Sequence, residues 1–189
     1  MPFPDVIAPL KNPAHLSTRS EVLATPSPVP KVSGLYAWFF RNVPEGVPAK
    51  DCIRRKGLTL LYVGIAPSRV GSKATLRSRI RQHFQSNAAG STLRLTLGCL
   101  LADQLGIRLR GVGTKGRLTF GVEGEKKLSE WMEQNAFVCW VKHPRPWEVE
   151  KEIIKRLPPP LNIEGNAQHP FCGPLSALRS EMRKKAREA

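Results

Sequence analysis

The sequence of 189 residues lacks the features that would place it in a membrane or outside the cell. No apolar run approaches the roughly 20 residues that a helix needs to span a bilayer. The first residues, Met1-Pro2-Phe3-Pro4, have neither the basic opening nor the apolar stretch of a secretory signal. Cys52, Cys99, Cys139 and Cys172 form no Cys-x-x-Cys pair. They read as reduced thiols, mostly buried, rather than as a disulfide framework. Cys139 with His143, and His169 with Cys172, match no standard zinc-ligand pattern. A soluble cytoplasmic protein is expected.

Acidic residues are scarce as well. Fifteen Asp and Glu face thirty Lys and Arg, a net charge of +15. The segment Cys52–Val122 holds thirteen basic residues against one acid, Asp103. A field of that sign draws polyanions and displaces their condensed counterions, which points first to nucleic acid. An acidic protein partner and an anionic membrane surface are the alternatives. The hydrophobic fraction of 41% is that of an ordinary globular protein, and the length allows one domain with tails.

Residues 1–30 carry seven of the 17 prolines and read as an extended arm. One helical turn at Thr18–Ala24 interrupts it, with Thr18 and Glu21 spaced as a capping box. The folded unit is expected over 31–173. Gly34–Phe40 and Leu58–Ile65 read as two strands of a long-looped hairpin, and Ala136–Val141 as a third, buried strand. Thr75–Gln85, Thr92–Leu105 and Glu125–Gln134 have helical spacing, with Gly106 as a stop for the second. Arg108–Val122 is glycine-rich and basic, with a short strand at Arg117–Val122. Pro146–Leu157 reads as a helix ended by Pro158-Pro159-Pro160, and residues 174–189 as a basic C-terminal helix.

The Pro146 helix carries the first chemical signal. At about 100° per residue, Trp147, Val149, Ile153, Ile154 and Leu157 share one face, and Glu150 falls among them. A carboxylate there loses several kcal/mol of hydration unless a cation or strong donors replace it. A buried salt bridge to an arginine is one solution, and a metal ligand on a rigid helix is the other. On the Thr75 helix, Leu76, Ile80 and Phe84 form the buried stripe, while Arg79 and His83 sit at its border. Arg77 and Arg81 point outward. A guanidinium suits phosphate, offering a planar fork of donors and a permanent charge. His83 could exchange a proton near neutral pH, or be an ordinary half-buried histidine.

Gly34-Leu35-Tyr36, Tyr62-Val63-Gly64, the Arg79/His83 helix, and the run from Glu150 through Pro158-Pro159-Pro160 to Asn162 occur in an order that resembles the GIY-YIG nucleases. The resemblance spans about Val32 to Phe171. Leu35 and Val63 stand where isoleucines are usual. The 26-residue gap between the tyrosines, and Arg followed four residues later by His, look more like the restriction-endonuclease branch than the homing or excision-repair enzymes. The stretch 86–134 reads as an insert of helix and basic loop.

That resemblance implies an α+β fold: a small, mainly antiparallel three-stranded sheet flanked by helices. It implies hydrolysis of DNA phosphodiesters with one divalent ion, Mg2+ or Mn2+, per active site. Glu150 would be the metal ligand. Tyr36 would position or activate water, Tyr62 and His83 would assist proton transfer and hold the phosphate, Arg79 would neutralise charge on it, and Asn162 would brace the site. Arg54, Arg55, Lys56, Arg77, Arg81, Arg108, Arg110, Lys115, Arg117, Arg179, Arg183 and Lys184 are candidates for DNA backbone contacts, or else a solvated basic surface. A nucleoid-associated location would follow in a bacterium. The rival readings are a non-catalytic DNA-binding protein on the same fold and a basic protein that docks on an acidic partner.

Overall fold

A computed structural model describes residues 6–113 and 116–188. Residues 1–5 at the head of the arm, Lys115 and Ala189 lie outside the described residues.

The centre is a four-stranded antiparallel sheet. Its strands are β1 (Gly34–Phe40), β2 (Arg54–Arg55), β3 (Leu58–Ala66) and β6 (Ala136–Lys142), in spatial order β2-β3-β1-β6. Three of these match the strands expected from sequence. The fourth, β2, is a two-residue edge strand inside the hairpin loop, too short to carry any periodic signal. A separate hairpin pairs β4 (Arg110–Val112) with β5 (Arg117–Thr119).

All seven residues of β1 are buried, because this central strand is covered on both faces. Tyr36, Trp38 and Phe40 point to one side, into a core shared with Leu76, Ile80 and Phe84 of α3 (Leu76–Gln85). That core also takes Leu93 and Leu97 of α4 (Thr92–Leu100), Leu128 and Met132 of α6 (Gly121–Asn135), and Leu175 of α8 (Cys172–Glu188). Leu35, Ala37 and Phe39 point to the other side, against Ile153 and Ile154 of α7 (Glu150–Arg156). Each such fully buried aliphatic or aromatic side chain contributes roughly 1.5–3 kcal/mol.

Local signals set several boundaries where expected. Thr75 caps α3, accepting from the Ser78 N–H, and Thr18 with Glu21 forms a capping box on α2 (Arg19–Leu23). Gly106 adopts φ +59 after α5 (Ala102–Leu105), a left-handed stop that a side chain would disfavour.

Two differences are instructive. The expected single helix Pro146–Leu157 is a 3-10 turn at Pro146–Glu148 followed by α7, so Glu150 opens the α-helix instead of sitting within it. The proline-rich arm is also bound to the body. It contains α1 (Ile7–Lys11) and α2, it buries Leu10, Val22 and Val29, and Ser17 bridges to Val138. Prolines mark where regular structure is broken, but they do not prevent apolar residues between them from packing.

Candidate active site

The chain contains only two tyrosines, and both enter one cleft of about 410 Å³ beside β3. Register explains how they meet. Tyr36 on β1 is paired with Gly64 on β3, and Trp38 with Tyr62. The phenol of Tyr36 lies across Gly64: a Cβ built there would fall 2.5 Å from the Tyr36 hydroxyl. Gly34 is equally constrained, since its Cβ would fall 2.2 Å from the Val141 carbonyl oxygen on β6. The two motif glycines are therefore close-approach positions, one for a side chain and one for a neighbouring strand.

Behind Tyr36 lies His83, with no solvent exposure. Tyr36 Oη and His83 Nε2 are 2.9 Å apart, and His83 Nδ1 lies 2.8 Å from Ser91 Oγ. Ser91 is the N-cap of α4, where its hydroxyl accepts the Arg94 N–H at 3.1 Å. The rings of Tyr36, Trp38 and Tyr62 surround the imidazole at centroid distances of 5.5, 5.7 and 6.1 Å. This burial pushes the His83 pKa down to about 3, and the charges of Arg79 and Arg94 act the same way, so the ring is neutral at physiological pH. His83 does not line the cleft. The expectation that it holds a phosphate is replaced by contact with Tyr36, because aromatic packing closes it off.

Burial raises the Tyr36 pKa above the ordinary phenol range, assisted by Tyr62 and opposed by Arg79. Loss of hydration likewise pushes Tyr62 up to about 12. Both phenols are therefore protonated donors at neutral pH.

The other cleft groups come from four separate elements. Arg79 enters from α3, Glu150 from the start of α7, Asn162 and Glu164 from the loop after α7, and Arg179 from α8. Asn162 grips β3 at Val63, beyond the stretch that β2 covers. Its Oδ1 accepts the Val63 N–H at 3.0 Å, and its Nδ2 donates to the Val63 carbonyl at 2.9 Å. Asn166 secures that loop by donating to the carbonyls of Pro159 and Asn162. Asn162 thus fixes the backbone between Tyr62 and Gly64.

Glu150 is half-buried, and its carboxyl pKa is raised by desolvation and then by Glu164. Among the described residues no cation pairs with it. A hard-oxygen donor held without a counter-ion is the chemistry that suits a divalent cation. No group of three or more His, Cys, Asp or Glu gathers among the described residues, so most of a metal's shell would come from elsewhere. The donor set fits a hard cation bound largely by water and substrate oxygens.

The structure brings together Tyr36, Tyr62, Arg79, Glu150 and Asn162 from the expected set. It adds Glu164 and places Arg179 in the cleft, neither of which has a local sequence mark. Arg77 and Arg81 are occupied otherwise. Arg77 donates to the carbonyls of Val29 and Ser27, and Arg81 to those of Val22 and Leu23, so both hold the arm against α3. A helical wheel puts them outside but cannot show that the arm covers that face. Arg54, Arg55, Lys56, Arg108, Arg110, Arg117 and Lys184 are exposed, and Arg183 is partly buried. No helix of the described residues is long and apolar enough to cross a membrane.

A family model described as the GIY-YIG catalytic domain matches residues 34–181, which includes every residue that lines the cleft. No curated protein and no solved structure matches the chain.

Proposed function

Because the chain belongs to the GIY-YIG catalytic domain family, a family of nucleases, we propose that it hydrolyses DNA phosphodiester bonds as a divalent-metal-dependent endonuclease. One observation carries the reading. A single cleft holds a carboxylate without a cation and guanidiniums without a carboxylate, around two protonated phenols. Opposite charges kept apart in this way leave each available for a ligand that carries both, a metal ion bound to a phosphodiester.

Glu150 would hold Mg2+ or Mn2+, with Glu164 adding negative potential nearby. Bound there, such an ion supplies Lewis-acid charge at a phosphate oxygen and lowers the pKa of a bound water. Arg79 places a permanent positive charge where the phosphorus oxygens accumulate negative charge. Tyr36 presents an O–H whose direction is set from behind by His83, and it orients the attacking water. His83 acts on Tyr36 and touches neither metal nor phosphate. Tyr62 donates a hydrogen bond to a phosphate oxygen, and Asn162 keeps its strand in place. Arg54, Arg55, Lys56, Arg108, Arg110, Arg117, Arg183 and Lys184 contact the DNA backbone away from the scissile bond.

The test is a supercoiled-plasmid assay with Mg2+ or EDTA. Wild-type protein should nick only with metal, and Glu150→Ala should bind without nicking. Nicking by Glu150→Ala at the wild-type rate refutes the metal-ligand role. A gel shift with no cleavage under any divalent ion indicates a DNA-binding protein. Neither shift nor cleavage indicates docking to an acidic partner.

A second readout is independent of activity. The raised Glu150 pKa means that ionising this carboxyl costs stability, increasingly so as pH rises through the ordinary carboxylate range. Glu150→Gln should therefore melt at or above the wild-type temperature in EDTA. It should also lose the upward shift that Mg2+ or Mn2+ gives the wild type.

A further inference from the structure

Among the described residues, burial lowers the pKa of two arginines, Arg94 and Arg179, and they are treated in opposite ways. Arg94 is fully buried and saturated. It donates twice to the Glu125 carboxylate, at 2.7 and 3.1 Å, and also to the carbonyls of Glu125 and Phe84 and to the Met132 sulfur. That is the pattern of a structural ion pair, with every donor satisfied.

Arg179 differs in each respect. It projects from α8 into the wall of the active cleft, beside Tyr62. Its Nε is buried with no hydrogen-bond partner, and no carboxylate pairs with it among the described residues. Its charged neighbour is Arg183, of the same sign, while Cys99 and Tyr62 are a thiol and a phenol, neutral at physiological pH. A charged donor left desolvated and unpaired is destabilising, and a bound anion would relieve that cost. Arg179 lines the cleft, and no anionic side chain of the described residues fills the role.

We infer that Arg179 is a second phosphate-binding arginine of the active cleft, holding a backbone phosphate of the substrate strand at the Tyr62 end. This rests on the nuclease reading for the identity of the substrate. Arg79 acts on both phenols, whereas Arg179 acts on Tyr62. The strand is thus gripped by guanidiniums from α3 and from α8. The C-terminal helix then belongs to the active cleft as well as to the basic surface, and Tyr62 shares that cleft with both cations.

The experiment compares wild type, Arg179→Gln, Arg179→Lys and the charge control Lys126→Gln, an exposed position on α6. Binding to a short DNA duplex in EDTA is measured by fluorescence anisotropy over a salt series. Cleavage is then followed in Mg2+. Arg179→Gln should weaken binding about tenfold, the size expected for one charge-assisted contact. It should also make the slope of log K against log salt shallower by about 0.9, one phosphate contact. Arg179→Lys should keep the slope but cleave more slowly, because it lacks the planar fork. Lys126→Gln should match the wild type.

Wild-type affinity, slope and cleavage in Arg179→Gln would overturn the assignment. If the wild type never cleaves but Arg179→Gln still loses duplex affinity and slope, the nuclease reading fails and the phosphate contact stands. Should Arg179→Gln not fold, arginine-directed phenylglyoxal labelling of the wild type, mapped by mass spectrometry, decides. Protection of Arg179 by the duplex supports the contact, and undiminished labelling overturns it.

Discussion

Replacing Gly64 with alanine should disable the protein by displacing a single phenol. The added methyl would fall 2.5 Å from Tyr36 Oη, 2.6 Å from Cζ and 2.7 Å from Cε2. Ordinary contact requires about 3.5–4 Å, so the ring must retreat by roughly 1 Å. It has little room. Tyr36 is 1% exposed, and its hydroxyl already meets His83 Nε2 at 2.9 Å. Overpacking of this kind costs about 1–3 kcal/mol, and losing the Tyr36–His83 bond adds about 1 kcal/mol. For a chain of this size the melting temperature should fall by roughly 5–15 °C. A misplacement of about 1 Å at a reacting group should also slow cleavage by about 100-fold. Gly173→Ala is the matched control: nothing lies within 4 Å of its added methyl, and the exposed helical position should be neutral or slightly stabilised. Thermal unfolding and plasmid nicking, measured side by side, give both quantities. If Gly64→Ala melts within about 2 °C of the wild type and nicks normally, the close-approach account of this glycine is wrong.

Two further outcomes follow from buried charge. Glu125→Ala should destabilise by about 3–5 kcal/mol in denaturant unfolding, since it strands the Arg94 guanidinium in the core; a loss under 1 kcal/mol would show that water or another group compensates. His83 is held neutral with a pKa near 3, so the unfolded chain takes up a proton that the folded one refuses. Stability should therefore fall as pH drops below about 6.5, by about 1.4 kcal/mol per unit toward pH 3. His83→Gln should flatten that slope, and an unchanged slope would remove His83 as its cause.

Sequence carried the strands and the capped helices, because these depend on periodicity and on residues close in the chain; the set Tyr36, Tyr62, Arg79, His83, Glu150 and Asn162 followed from the family resemblance, and the structure gathers all but His83 in one cleft. Thr75 with Ser78 caps α3, Gly106 stops α5, and the aromatic-rich run Gly34–Phe40 marks a strand; each is a local rule that folding did not override. The order of the motif elements was enough to name a family, and the family model agrees over residues 34–181.

Tertiary structure alone decided which of the many basic and acidic residues share the cleft. Arg77, Arg81 and Arg179 look alike in sequence, yet two are bound by the arm and the third lines the site. His83 became a buried partner of Tyr36 because three aromatic rings from two strands close around it. Glu164 came to oppose Glu150 because Asn162 ties their connecting loop to β3. A side chain's chemistry is local, but its hydration and its neighbours depend on which distant element packs beside it, and no spacing along the chain encodes that.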